Sequence, residues 1–274
     1  MIAETTDRMG GFSAMLSDVA ALTGRHLRHI RRSPGKLIGI TLNPLVMMLV
    51  IGYLFKNSIV APASGRYQDY IMAGIAAQVG LASIGPTAVG VAMDIRNGII
   101  DRFRSLPISQ TVVLIGHTLS DLMVALIGLC VVSIVGYAVG WRIHAGWSQA
   151  IAGFALLVLF IYALLWVGAL LGLLLRNVEA IDSIGAIVLV LFSFLSDAFI
   201  AVKGLPGWLH PVAEWNPVSS VVGACRQLWG NPGAVAGASF PTQHPVLITL
   251  ITLTVVICVA FPLSLHAYRR AVAH

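Results

Sequence analysis

Three stretches of the chain carry residue types and spacings that could do chemistry or recognition. The first is Asp94-Ile-Arg-Asn-Gly-Ile-Ile-Asp-Arg-Phe-Arg-Ser-Leu-Pro-Ile-Ser, residues 94–109. It interleaves Asp94, Arg96, Asp101, Arg102 and Arg104 with Ile99, Ile100, Phe103 and Leu106. The apolar members recur three or four residues apart, so a short helix would present one apolar and one charged face. Pro107 would end it, because the residue before a proline resists helical geometry. Such an element suits docking into a groove on a partner, and a helix lying on lipid headgroups is the competing reading. The second stretch, 205–226, holds Pro206, Trp208, Trp215, Asn216, Pro217 and Arg226. Its prolines break it too often to cross a membrane, and its two Trp residues favour an interface. A re-entrant or surface helical pair fits, provided protein shields its backbone. The third set is scattered: Asn43, Gln78, Thr87 and Asp197 interrupt long apolar runs. Polar groups there are candidates for a pathway or for helix kinks, and a carboxylate inside a membrane is costly and often functional.

Enzymatic constellations are missing from the sequence. It contains no G-x-x-x-x-G-K-[ST] phosphate loop, no H-E-x-x-H and no nucleophile elbow. No metal site and no catalytic residue is expected. Cys130, Cys225 and Cys258 are three in number and far apart, which fits neither a disulfide framework nor zinc spacing.

The elements that must hold these residues are membrane spans. The chain has 274 residues, of which 58% are hydrophobic and 10% charged. Its mean hydropathy is +0.89. Soluble domains carry about 25% charged residues, so the solvent here is a bilayer. A helix needs about 20 apolar residues to cross one. Six segments qualify, at about 37–55, 70–93, 115–141, 150–175, 183–202 and 246–265. The third is centred on the uncharged run 122–141, which puts Asp121 near its inner end, and the fifth contains Asp197 toward its outer boundary. With six spans, 12 of the 17 Lys and Arg residues fall on one side, including both tails and the 94–109 loop. The positive-inside rule places that side, and both termini, in the cytoplasm. The net charge of +6 is thereby explained by topology, without nucleic acid. Ahead of the first span, Phe12, Met15, Leu16, Val19, Leu22, Leu27 and Ile30 recur at helical spacing, with Arg25, Arg28 and Arg32 on another face. That pattern predicts an amphipathic helix along the inner membrane surface. The expected organisation is a tail and interfacial helix at 1–36, a six-span domain at 37–268 and a cytoplasmic tail at 269–274. The fold class is all-α, with a cytoplasmic helix in the 94–109 loop and short re-entrant or surface helices before the last span.

The 94–109 stretch resembles the coupling loop of ABC type-2 export permeases, in particular those similar to the daunorubicin/doxorubicin-resistance membrane subunit. Asp94, Arg96, Gly98, Asp101, Arg102, Phe103, Arg104, Leu106, Pro107 and Ser109 match that family's pattern, as does Gly116. Asn97 stands where many relatives carry Glu. The external stretch is similar to the same family at Pro206, Trp208, Leu209, Asn216, Pro217, Ser219 and Arg226. Two motifs in the expected order cover essentially the whole chain.

The resemblance implies a permease subunit of an ATP-driven exporter in a bacterial plasma membrane. It implies a second permease chain, identical or different, and separate ATPase subunits that bind ATP and Mg. The 94–109 stretch would then couple to the ATPase. A mostly apolar pathway fits an amphiphilic substrate, an antibiotic or a lipid-like molecule. A secondary carrier or channel-like protein would instead need ionisable residues at mid-membrane, and a membrane-embedded enzyme would need clustered His and acidic residues.

Overall fold

In the computed structural model, residues 35–54, 66–97, 110–175, 177–199, 202–233 and 239–273 are described. They are helical and contain no strand. The predicted interfacial helix before Gly35 and the loop residues Gly98, Asp101, Arg102, Phe103, Arg104, Leu106 and Pro107 lie outside the described residues.

Among the described residues nine α-helices follow in order: α1 Gly35–Met47, α2 Tyr67–Arg96, α3 Gln110–Val139, α4 Trp147–Leu175, α5 Val178–Phe194, α6 His210–Glu214, α7 Pro217–Trp229, α8 Phe240–Gln243 and α9 Pro245–Ala273. α1 continues as a π-helical turn over Met48–Leu54. This widened turn follows Pro44, which lacks the N–H that an α-helix would donate to Ile40.

Among the described residues, five helices are long and apolar enough to cross a membrane: Gly35–Leu54, Tyr67–Arg96, Thr111–Val139, Trp147–Leu175 and Pro245–Arg270. α2 and α9 run past the expected limits at both ends, and α1, α3 and α4 begin before theirs, because charged and polar residues there stay helical; α3 ends at Val139, short of the expected 141. α3 starts at Gln110, so Asp121 sits well inside the helix rather than near its end. The fifth expected span needs correction. Instead of 183–202, α5 covers Val178–Phe194, 17 residues, or about 25 Å. It begins at Asn177, whose side chain accepts hydrogen bonds from the backbone of Glu179 and Ala180. It stops before Asp197, which lies in a turn beyond the helix.

α2 is the central element, with 78% of its most apolar stretch buried inside the protein, against 17% for α9. Its closest neighbour is α4. A Cβ on Gly172 would lie 2.2 Å from the Ala88 carbonyl oxygen, and one on Gly168 would lie 2.7 Å from that of Ile84. These two glycines, four residues apart on one helix face, let the two backbones touch where apolar lipid would offer no hydrophobic drive for association. α5 lies along α2 beside α4, with Ile181 packed against Ala88 and Ala92 and with Leu171 and Leu175 of α4 in the same cluster. The main core joins α1, α2, α3, α4 and α7 around Tyr70, Phe160 and Trp229. Trp229 meets Trp141 and Phe154 at ring-centroid distances of 5.1 and 5.2 Å.

Candidate functional site

Two polar centres interrupt this apolar bundle, one at each end of α2. The first surrounds Arg226. α7 begins where Asn216 accepts a hydrogen bond from the Val218 backbone N–H, 2.9 Å, with Pro217 as its first residue. The Asn216 amide group also donates to the carbonyls of Phe192 and Leu195, at 3.2 and 2.9 Å. One side chain thus closes the end of α5 and opens α7. Ten residues after Asn216, Arg226 is fully buried.

The Arg226 guanidinium donates to the Tyr70 carbonyl at 2.8 Å, the Asp197 carboxylate at 2.7 Å, and the carbonyls of Asp197 and Ala198 at 2.7 and 3.2 Å. Its plane lies over the Tyr70 ring, 3.6 Å from the centroid. The Tyr70 hydroxyl donates to the second Asp197 oxygen at 2.6 Å, and the Asp197 backbone N–H donates to Ser219 at 3.0 Å. A buried charge must be paired and bonded to be tolerated, and this one has both. The network locks together α2, the turn after α5, and α7. Beside it, burial pushes the Cys225 thiol up from its ordinary value. A cavity of about 280 Å³ opens against the same network, lined by Asp197, Glu214, Ser219, Ser220, Gln227 and Asn231 together with apolar residues such as Val202, Pro241 and Pro245. Ser220 and Asn231 each bury a polar atom that no protein group bonds. Trp208 and Trp215 point outward, 76% and 65% exposed. At the same end, Asp69 accepts from the Arg142 backbone N–H at 2.9 Å, tying the α3–α4 connection to α2.

The second centre lies at the other end of α2. Lys36, at the start of α1, pairs with Asp121 of α3 at 2.5 Å. His117, one turn before Asp121, stands 3.5 Å from that carboxylate and 3.6 Å from Asp94 of α2. Asp121 and His117 are buried. Thr87 is fully buried beside Asp121. Among the described residues no group of His, Cys, Asp or Glu side chains could hold a metal ion.

Of the residues singled out from sequence, Pro206, Asn216, Pro217, Asp197 and Arg226 fall in the first region, with Asp197 and Arg226 in direct contact. Asp94 and Thr87 fall at the second, and Arg96 ends α2 just beyond it. Gln78 lies between the two, buried, its amide nitrogen 3.5 Å from the Ser193 hydroxyl. Asn43 is half-buried on α1 and belongs to neither centre. Tyr70, Lys36 and His117 carry no sequence signal that singled them out. For His117, its spacing of four from Asp121 was the available one.

This is a multi-pass helical membrane protein whose polar groups gather at the two ends of its bundle. Residues 17–228 match the model of the ABC-2 type transporter family, and the chain belongs to that family. It is 28% identical over 250 residues to a daunorubicin resistance ABC transporter permease protein of Streptomyces coeruleorubidus, covering 91% of this chain and 85% of that protein. It is also 28% identical over 264 residues to a doxorubicin resistance ABC transporter permease protein of Mycobacterium tuberculosis, covering 90% and 91%.

Proposed function

We propose that the chain is the membrane-spanning permease subunit of an ABC exporter, that it works as a dimer with separate ATPase subunits, and that it moves an amphiphilic molecule outward across a bacterial plasma membrane. The observation that carries this is the family match over 17–228, which takes in both the 94–109 loop and the 205–226 segment. Relatives named for daunorubicin and doxorubicin resistance support a drug-like amphiphilic cargo.

α5 supplies the sixth crossing in this scheme. Ile181 near its start packs on Ala88 and Ala92, and Asp197 just past its end bonds Tyr70. Between Tyr70 and Ala92, α2 rises about 33 Å, the thickness of the hydrocarbon core. Helix and turn together therefore run the depth of the bilayer, and both termini lie in the cytoplasm. The Arg226 network faces outward, where α6 and α7 form a re-entrant or surface pair held by Asn216 and shielded by protein. The Lys36–Asp121 centre faces the cytoplasm, next to the residues that enter and leave the 94–109 loop. ATP and Mg sit on the partner ATPase, and that loop docks into it. Movement of the docked loop shifts the packed spans between two arrangements.

Affinity purification of the tagged chain from its native membrane in nanodiscs tests this. A co-purifying protein with a phosphate-binding loop and vanadate-sensitive ATP hydrolysis is the expected result. A chain that purifies reproducibly alone and without hydrolysis would remove the ATPase pairing and favour a carrier.

A further inference from the structure

Any push on the 94–109 loop enters the spans at the end of α2 and the start of α3. Asp94 lies on the last turn of α2, before the loop, and His117 two turns into α3, after it. His117 stands with one ring nitrogen 3.6 Å from Asp94 and the other 3.5 Å from Asp121. Asp121 in turn holds the Lys36 ammonium at 2.5 Å. Four ionisable groups thus run in one chain, from the end of α2 through α3 to the start of α1. Lys36 also closes the 1–36 segment in sequence, for which a surface helix is expected.

The packing around it is built to admit it. Position 90 of α2 is glycine. A Cβ there would lie 3.1 Å from a His117 ring nitrogen and 3.8 Å from the Lys36 ammonium. The imidazole occupies the space a side chain would take. Thr87 adds a hydroxyl one turn away. Three ionisable side chains drawn into a bundle of this composition are expensive unless they hold something in place. Asp121 is only 5% and His117 8% exposed. The Lys36–Asp121 ion pair is also a charge-assisted hydrogen bond, whose directionality holds the two side chains in register. Apolar contacts along α2 and α3 would slide instead.

We infer that Lys36, His117 and Asp121 are positioning residues that form a transmission joint: they fix α1 and α3 to the loop end of α2, so that displacement of the loop moves all three helices together. The inference rests on the permease reading above. Breaking the joint uncouples the machine without dismantling it.

The test uses the full permease–ATPase complex in proteoliposomes, reading ATP hydrolysis and amphiphile transport side by side. In Asp121→Asn and His117→Gln, insertion, ATPase association and hydrolysis stay close to wild type. Transport per ATP hydrolysed falls about tenfold, within the range of ordinary coupling free energies. Lys36→Arg keeps the ratio, and the exchange Lys36→Asp with Asp121→Lys recovers a substantial part of it. Hydrolysis and transport falling in parallel would mean a structural role only and would overturn the joint. So would a wild-type ratio in both single variants. If Asp121→Asn fails to fold, His117→Gln and the charge exchange decide alone. A wild-type chain that binds no ATPase defeats the permease reading itself, and the joint with it. That result is separate, because it appears before any variant is made.

Discussion

Removing Arg226 should destabilise the protein more than any other single truncation at the outer end. In Arg226→Ala, the Asp197 carboxylate keeps the Tyr70 hydroxyl at 2.6 Å but loses its cation. The carbonyls of Tyr70, Asp197 and Ala198 lose the donors that meet them at 2.8, 2.7 and 3.2 Å. Breaking a buried pair by deleting one partner costs about 3–5 kcal/mol. Arg226→Lys keeps the charge but not the planar fork, and one ammonium cannot reach all four acceptors at once. The loss of one or two bonds involving a charged group puts its cost at about 2–3 kcal/mol. Replacing both partners, Arg226→Leu with Asp197→Leu, removes the stranded charge. The pair should therefore cost less than the sum of the two single changes, by about 1–3 kcal/mol. Equilibrium unfolding in mixed dodecyl maltoside and SDS micelles, followed by tryptophan fluorescence, measures all five variants. Single changes costing under about 0.5 kcal/mol, or strictly additive costs, would refute a paired and buried network.

Further outcomes can be checked together. Gly172→Val places a side chain into the Ala88 carbonyl and should reduce folded yield sharply, whereas the same change at Gly146, which has nothing within 4 Å, should not; size-exclusion profiles after extraction decide. Cys225 is buried and its thiol pushed up, so a membrane-permeant maleimide should modify it only after denaturation. Raising the pH to about 9, the ordinary thiol range, should not change that; mass spectrometry of the labelled peptide reads the result. Phe103→Ala and Arg104→Ala should leave insertion intact while weakening ATPase association and ATP-dependent transport. Wild-type association and transport in both would remove the coupling role from that loop.

The long spans were legible because uncharged runs of the right length have few alternatives in a chain this apolar. α5 was not placed correctly because the apolar run resumes after Ser196 and Asp197 and continues from Ala198 to Val202. The stop comes from Asn216, whose amide takes up the carbonyls of Phe192 and Leu195 from more than 20 residues away. Nothing local announces it. Asp197 and Arg226 were each visible as unusual residues, but their pairing spans 29 positions and depends on the turn that the misplaced helix hid. The inner centre was obscured for a similar reason. Lys36 and Asp121 each looked like an ordinary charge marking the edge of an apolar run, yet they are 85 residues apart and in contact. The apolar pattern reports which segments enter the membrane, and the polar contacts between those segments are set by packing.

On the function proposed above, this chain carries an amphiphile across a membrane using ATP hydrolysed by another protein. Inside-out vesicles containing the chain and its co-purified ATPase test it most directly, with accumulation of a fluorescent amphiphilic probe followed on addition of ATP and Mg. Uptake that requires ATP, stops with vanadate and disappears when either protein is omitted is the predicted result. Uptake driven by an ion gradient in the absence of ATP, or unchanged when the ATPase is left out, would contradict it.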